Sequence, residues 1–352
     1  MIPALRPQQP SVNPRVLLER KGPEGVASAL AGTGYMIQRR VLDDFVQVLR
    51  SGKPWLLEGE AGTGKSAIAY ACQQAFNLIL FPLQGMEELK LSDILYSWDR
   101  EAQTQSVIQS VTSGAMNLEA AQAAQYSFKY LKLGEALHAF HWAAVNRVVP
   151  LSFFDEVDKL PHHLQDMLLQ LYECGYAHVP HYDAPVGIFD PETGTSDRDL
   201  YPLTIFTSNN LRHALSEPFR SRCFYTWIDP PTLGEQVLIL HRRVPEAPPE
   251  LVLAVIKINE TLKTVTGMAR KPGLRELIDL LRALTRDRVE ARHLDERVLS
   301  SYVGYLAKEN PHRLSLYSAL GAIECDLEMR DELLEELVEA AFDTKRVFLE
   351  AA

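Results

Sequence analysis

The sequence predicts a P-loop α/β core, an αβα sandwich built on a parallel sheet, followed by an all-helical part. Three observations carry this. Short apolar strands alternate with stretches of helical periodicity between Trp55 and Ile228, the pattern of a sheet covered on both faces. A glycine-rich turn separates the first of these strands from a helix. After Asp229-Pro230-Pro231 the strand signals cease and helical periodicity takes over.

Taken in order, residues 1–35 are rich in Pro and Gly and read as an extended N-terminal arm. Leu42, Phe45, Val46 and Leu49 stand at helical spacing within Val41–Arg50, and Ser51-Gly52-Lys53-Pro54 ends that helix. Trp55-Leu56-Leu57-Glu58 reads as a short buried strand. The turn follows, then a helix over Ser66–Phe76 and a strand over Leu78–Leu83. A long stretch to about Gln125 precedes a helix over Gly134–Arg147, a strand over Val148–Phe154 and a helix over Pro161–Tyr172, with proline in its first turn. Strands over Leu203–Thr207 and Phe224–Ile228 complete a core of residues 36–228. A helical domain over 229–310 and an acidic helical tail over 311–352 follow. In the tail, Leu327, Leu334, Leu337 and Ala341 share one helical face.

Composition narrows the classes. Of 352 residues, 46% are hydrophobic and 23% charged, which is ordinary globular usage and excludes a largely disordered chain. No segment approaches the roughly 18 unbroken apolar residues of a membrane span. The start, MIPALRPQQP, lacks the apolar run of a secretory signal. Cys72, Cys174, Cys223 and Cys325 stand far apart with no C-x-x-C pair, so a zinc finger or disulfide scaffold is excluded and a reducing cytoplasm fits. The net charge of −10 argues against generic duplex-DNA binding, although a local basic lining stays open. From Ile323 to Ala352 ten acidic residues outnumber three basic ones, while the first forty residues hold six basic and two acidic. Such a basic head and acidic tail are solvated faces or a head-to-tail contact between subunits. His138/His141 and His178/His181 have metal-compatible spacing, but neither pair has a nearby third ligand, and ordinary packing histidines are favoured.

The turn is Gly59-Glu60-Ala61-Gly62-Thr63-Gly64-Lys65-Ser66, which matches G-x-x-x-x-G-K-[ST] between a strand and a helix. Its glycines let backbone N–H groups curl inward onto phosphate oxygens. The helix that follows, through Ala67 onward, adds its N-terminal partial charge. Lys65 can reach the β- and γ-phosphates of ATP, and the Ser66 hydroxyl can ligand Mg²⁺. A strand ending in Asp155-Glu156 supplies two carboxylates. At such a strand end an Asp holds Mg²⁺, usually through water, and the following Glu can act as general base on the attacking water. Leu203–Thr207 ends in Ser208-Asn209-Asn210, where an amide can hold that water or touch the γ-phosphate. Asn209 is preferred because it lies nearer the strand end.

Taken together, LLEGEAGTGKS, LSFFDEVDKLP, TIFTSNN, LSEPFRSRCFY and KPGLRELIDLLRAL resemble the AAA+ ATPases, and most closely the MoxR-like branch with its dynein-related relatives. The resemblance runs from Gly34 to Arg282, about 70% of the chain. It implies that Asn209 is the sensor-1 residue and that Arg222 is an arginine finger acting on the neighbouring subunit, with Arg220 the substitute candidate. It implies that Arg275 is sensor 2, with Arg270 and Lys271 close by, in a helical lid. It also implies an insert at 98–126, whose polar, Ala/Gln/Ser-rich sequence reads as a mobile loop, and a hairpin at 174–200. By analogy the protein forms a homo-oligomeric, most simply hexameric, ring that uses ATP and Mg²⁺ to remodel or mature a client protein. A partner with a von Willebrand A domain is implied in the same way. Alternatives are a nucleic-acid motor or switch of McrB type, and a nucleotide-gated scaffold in defence or signalling.

Overall fold

Asn13 and Pro14 start the first helix, α1 (Pro14–Ala31), in the computed structural model, which describes residues 11–209, 215–264 and 272–306. The Asn13 side chain accepts from the Arg15 N–H at 2.9 Å, a capping arrangement that proline in the first turn favours. This corrects the extended arm expected for residues 1–35. Gly22-Pro23 does break the helix, with Gly22 at φ 67°, but Val26 and Leu30 beyond the kink are fully buried and hold the second half in place. The acidic tail and residues 307–310 lie outside the described residues.

Helix α2 (Arg39–Ser51) buries Val41, Leu42, Phe45, Val46, Val48 and Leu49 and ends on Gly52 in the left-handed conformation. Then come β1 (Trp55–Gly59), α3 (Lys65–Phe76), β2 (Leu80–Gln84) and the short α4 (Leu91–Ile94). The segment expected to be a loop is helical instead. Between β3 (Tyr96–Trp98) and its antiparallel partner β4 (Leu131–Leu133) stand α5 (Arg100–Thr112) and α6 (Leu118–Ala124), capped by Asp99 and Asn117. Gln, Glu and Ala fill much of these two helices and are good helix formers. After α7 (Glu135–Asn146), β5 (Leu151–Asp155) and α8 (His162–Cys174), the strands β6 (Tyr176–Ala177) and β7 (Val186–Gly187) pair antiparallel within residues 174–200. Strand β8 (Leu203–Ser208), helix α9 (Glu217–Arg222) and strand β9 (Phe224–Ile228) follow.

The five long strands form one parallel sheet in the order β2-β5-β8-β1-β9. Successive side chains on a strand point to opposite faces, and here both faces are apolar. Trp55, Leu57, Phe153 and Ile205 pack on one side with Phe45, Ile68 and Phe76 from α2 and α3. Leu56, Phe154 and Phe206 pack on the other with Phe140, Leu164, Leu168 and Phe219. Burial on both faces is why these strands read as unbroken apolar runs, and the three-layered αβα core follows from it. Residues 1–59 with 65–228 make one compact unit, and 60–64 with 229–352 the other.

In the second unit the described residues from 229 onward form helices joined by loops, with no strand. Helix α10 (Leu233–Arg243) opens with a reciprocal Thr232/Glu235 capping box. It packs with α11 (Pro249–Thr264), α12 (Leu274–Arg286) and α13 (Glu296–Leu306) around Leu240, Val255, Leu277, Leu281, Leu284 and Val303. Among the described residues no helix is long and apolar enough to cross a membrane.

Candidate functional site

The sheet order sets β5, β8 and β1 side by side with their carboxyl ends together. The loop leaving β1 bends at Gly62 (φ 85°) and Gly64 (φ 91°), angles that side chains other than glycine rarely adopt. The Thr63 hydroxyl donates to the Glu60 carbonyl at 2.9 Å, which tightens the turn. Lys65 and Ser66 form the first turn of α3, and Ala67 follows half-buried. The N–H groups of a helix start are the donors an anion needs. Lys65 is buried, and its Nζ donates to the Gly59 carbonyl at 2.9 Å. Burial pulls its pKa down, against the opposing attraction of Asp155, Asp158, Glu156 and Glu58.

Asp155 ends β5, and its Oδ1 accepts from Ser66 Oγ at 2.8 Å and from the Thr207 hydroxyl. A hydroxyl and a carboxylate oxygen side by side form the hard donor set that Mg²⁺ prefers. Glu156 adopts the left-handed region at φ 57°, an unusual conformation for a residue with a Cβ. Its N–H donates to Thr207 Oγ1 at 2.9 Å, which fixes the bend. Its carboxylate then receives three donors: Gln84 Nε2 at 2.8 Å and Lys159 Nζ at 2.5 Å on Oε2, and Asn209 Nδ2 at 3.1 Å on Oε1. The buried Asp158 accepts from the Asn209 N–H at 3.3 Å. A carboxylate held this way can accept a proton from a water at a defined position.

The structure thus brings Lys65, Ser66, Asp155, Glu156 and Asn209 together. Arg222 stands elsewhere: it pairs with Glu173 of α8 and donates to the Pro218 carbonyl at 3.2 Å. Arg220 points the other way and pairs with Glu58 at 2.7 Å. Arg275 is exposed in the first turn of α12, whose Gly273 N–H donates to Glu276. Arg270, Lys271 and Asn210 lie outside the described residues. His138 and His141 pack edge-on and tilted against Phe81 and Phe128, and burial lowers both pKa values.

Four residues at this site escaped the sequence reading: Gln84, Thr207, Asp158 and Lys159. Lys159 follows Glu156 by three positions, and Thr207 sits within TIFTSNN, so spacing offered a signal for both. Gln84 comes from the far side of β5 and had none. The close approach that delivers it needs Gly85, since a Cβ there would meet the Glu156 carbonyl at 2.0 Å.

The geometry is that of a P-loop beside two strand-end carboxylates. Residues 54–223 match the AAA domain of the dynein-related subfamily. The match covers just under half of the chain and spans β1 through α9. It supports an AAA+ ATPase core and contains every first-unit residue of the site. No curated protein matches the chain. Within the matched residues burial pushes the thiols of Cys72 and Cys223 up, the latter to about 12, so neither is a nucleophile at neutral pH.

Proposed function

We propose that the protein is a cytoplasmic Mg²⁺-dependent ATPase of the MoxR-like AAA+ branch that works as a homo-oligomeric ring, most simply a hexamer. It couples hydrolysis to remodelling or maturation of a client protein, with a von Willebrand A domain protein as partner. The observation that carries the ATPase reading is the Glu156 carboxylate, held by Gln84, Lys159 and Asn209 beside the Ser66–Asp155 pair.

In this reading the loop from Gly59 to Ser66, with Ala67, cradles the phosphates. Lys65 releases the Gly59 carbonyl and takes the β- and γ-phosphates. Ser66 and Asp155 hold Mg²⁺, which when bound neutralises phosphate charge. Glu156 accepts the proton of the attacking water, and Asn209 fixes where that water stands. Arg222 of one subunit leaves Glu173 and steadies the charge on the γ-phosphoryl group of the next, as arginine fingers do. Arg275 of the helical lid senses the same phosphate. The preference for a protein client over nucleic acid is supported by the acidic balance of the chain.

Glu156→Gln protein with ATP and Mg²⁺ should assemble into rings in light scattering, and a subunit that stays alone at saturating ATP overturns the ring. Arg222→Ala and Lys65→Ala subunits should each be inactive, and mixing them should restore turnover at interfaces where a Lys65→Ala subunit lends its arginine. Absence of rescue removes Arg222 from that role. Capture with the Glu156→Gln form tests the client, and turnover stimulated by DNA instead moves the reading to a McrB-like motor.

A further inference from the structure

Glu58 is the last side chain before the phosphate loop, and it is only 2% exposed. A carboxylate this dry needs a counter-charge, because its hydration has been lost. Arg220 supplies it from α9, with Nη2 at 2.7 Å from Oε1. Burial and the nearby Glu58 charge both push up the phenol pKa of Tyr225 on β9. Glu58 itself is fixed on β1 between Ser208 of β8 and Trp227 of β9.

The pair stands close to the phosphate machinery. The next residue, Gly59, presents its carbonyl to Lys65 at 2.9 Å. The Glu58 charge is one of the four carboxylates that attract the Lys65 ammonium. An anion that reaches Lys65 also reaches a polyphosphate bound there, with the opposite sign.

Helix geometry separates Arg220 from the second arginine of α9. Residues two apart on a helix point about 200° apart, so only one can face β1. Arg222 faces outward, and both it and its partner Glu173 are half-exposed, at 43% and 55%.

We propose that Arg220 is a positioning residue for its own subunit's phosphate site, cancelling the buried Glu58 charge that otherwise repels the nucleotide. This deepens the ATPase reading and rests on it. The pair has a sign that a merely structural strut lacks. Removing Arg220 leaves a buried anion beside the polyphosphate. Neutralising Glu58 leaves a cation there, and removing both charges restores balance.

The test is equilibrium binding of ATP and ADP to the full-length chain, with thermal melts, for wild type, Arg220→Ala, Glu58→Gln and the double variant. Arg220→Ala should weaken ATP about tenfold, ADP less, with the loss shrinking as salt is added. Glu58→Gln should bind at least as tightly as wild type, and the double variant within about threefold of it. A double variant as weak as Arg220→Ala, or a Glu58→Gln variant that loses affinity equally, overturns the proposal. If Arg220→Ala does not fold, Glu58→Gln and the double variant decide, since a broken strut lowers affinity in both and charge compensation in neither. Wild-type protein that binds no ATP overturns the ATPase reading together with this one, a result distinct from a binding wild type with the wrong variant pattern.

Discussion

At the ends of β1, β5 and β8 polar side chains are held one against another, whereas on α5 and α6 apolar side chains stand in the open. Asp155, Glu156 and Asn209 each have at least one partner within 3.3 Å. Ile108 and Leu118 are 57% and 55% exposed. The contrast teaches where constraint comes from. Chemistry at the strand ends fixes residue type, spacing and partner from inside the chain. The helical insert has its own caps and a few anchors, such as the buried Gln103 side chain donating to the Gln125 carbonyl at 2.9 Å. Its outer surface carries apolar side chains that stand in solvent.

The contrast is broken most severely at Glu156. Glutamine keeps the shape, and its single carbonyl oxygen can still accept from Gln84 or from Asn209, but it removes the negative charge and the ability to take a proton. General-base catalysis contributes about 10²–10⁴-fold, so Glu156→Gln should cut turnover by about that range while ATP binding persists. Steady-state turnover alongside equilibrium ATP binding checks this, and a variant that hydrolyses at the wild-type rate removes Glu156 from the base role.

A smaller effect comes from pH. Burial lowers the pKa of Lys65 from its ordinary 10.5, so the free protein loses the ammonium earlier than an exposed lysine would. Bound phosphates favour the charged form and pull the pKa back up. ATP affinity is therefore full below the free-protein pKa and falls about tenfold per pH unit above it, until the complex itself titrates. Binding measured from neutral to alkaline pH should show this fall. Lys65→Arg, which stays charged, should give a flat profile at lower affinity.

What could be read from the sequence follows the same division. The five sheet strands were legible because burial on both faces makes them apolar runs, and Lys65, Ser66, Asp155, Glu156 and Asn209 because each sits at a strand end or the following turn. Helix α1 was misread because Gly22-Pro23 looks like loop punctuation, although Val26 and Leu30 still find the core. Helices α5 and α6 were misread because a polar, Ala/Gln/Ser-rich composition was taken for a mobile loop, where Gln, Glu and Ala favour helix. Gln84 was invisible because only the β2–β5 register, which sets it opposite Asp155, brings it to Glu156. The partner of Arg220 was hidden in the same way: Glu58 is 162 residues away.

The least disruptive substitution should be on the insert. Ile108 and Leu118 lie on short helices whose caps, Asp99 and Asn117, are untouched by changes at those positions. Each side chain leaves more than half its surface in water, so Ile108→Ser with Leu118→Ser loses little burial and only a small helix preference. Exposed changes of this kind usually shift stability by within about 0.5 kcal/mol each. Melting temperature and basal ATP turnover of the double variant should stay close to wild type, with turnover within about twofold. A large fall in either would show that the insert's outer face is packed against something the strand ends need, and the contrast between the two regions would then fail.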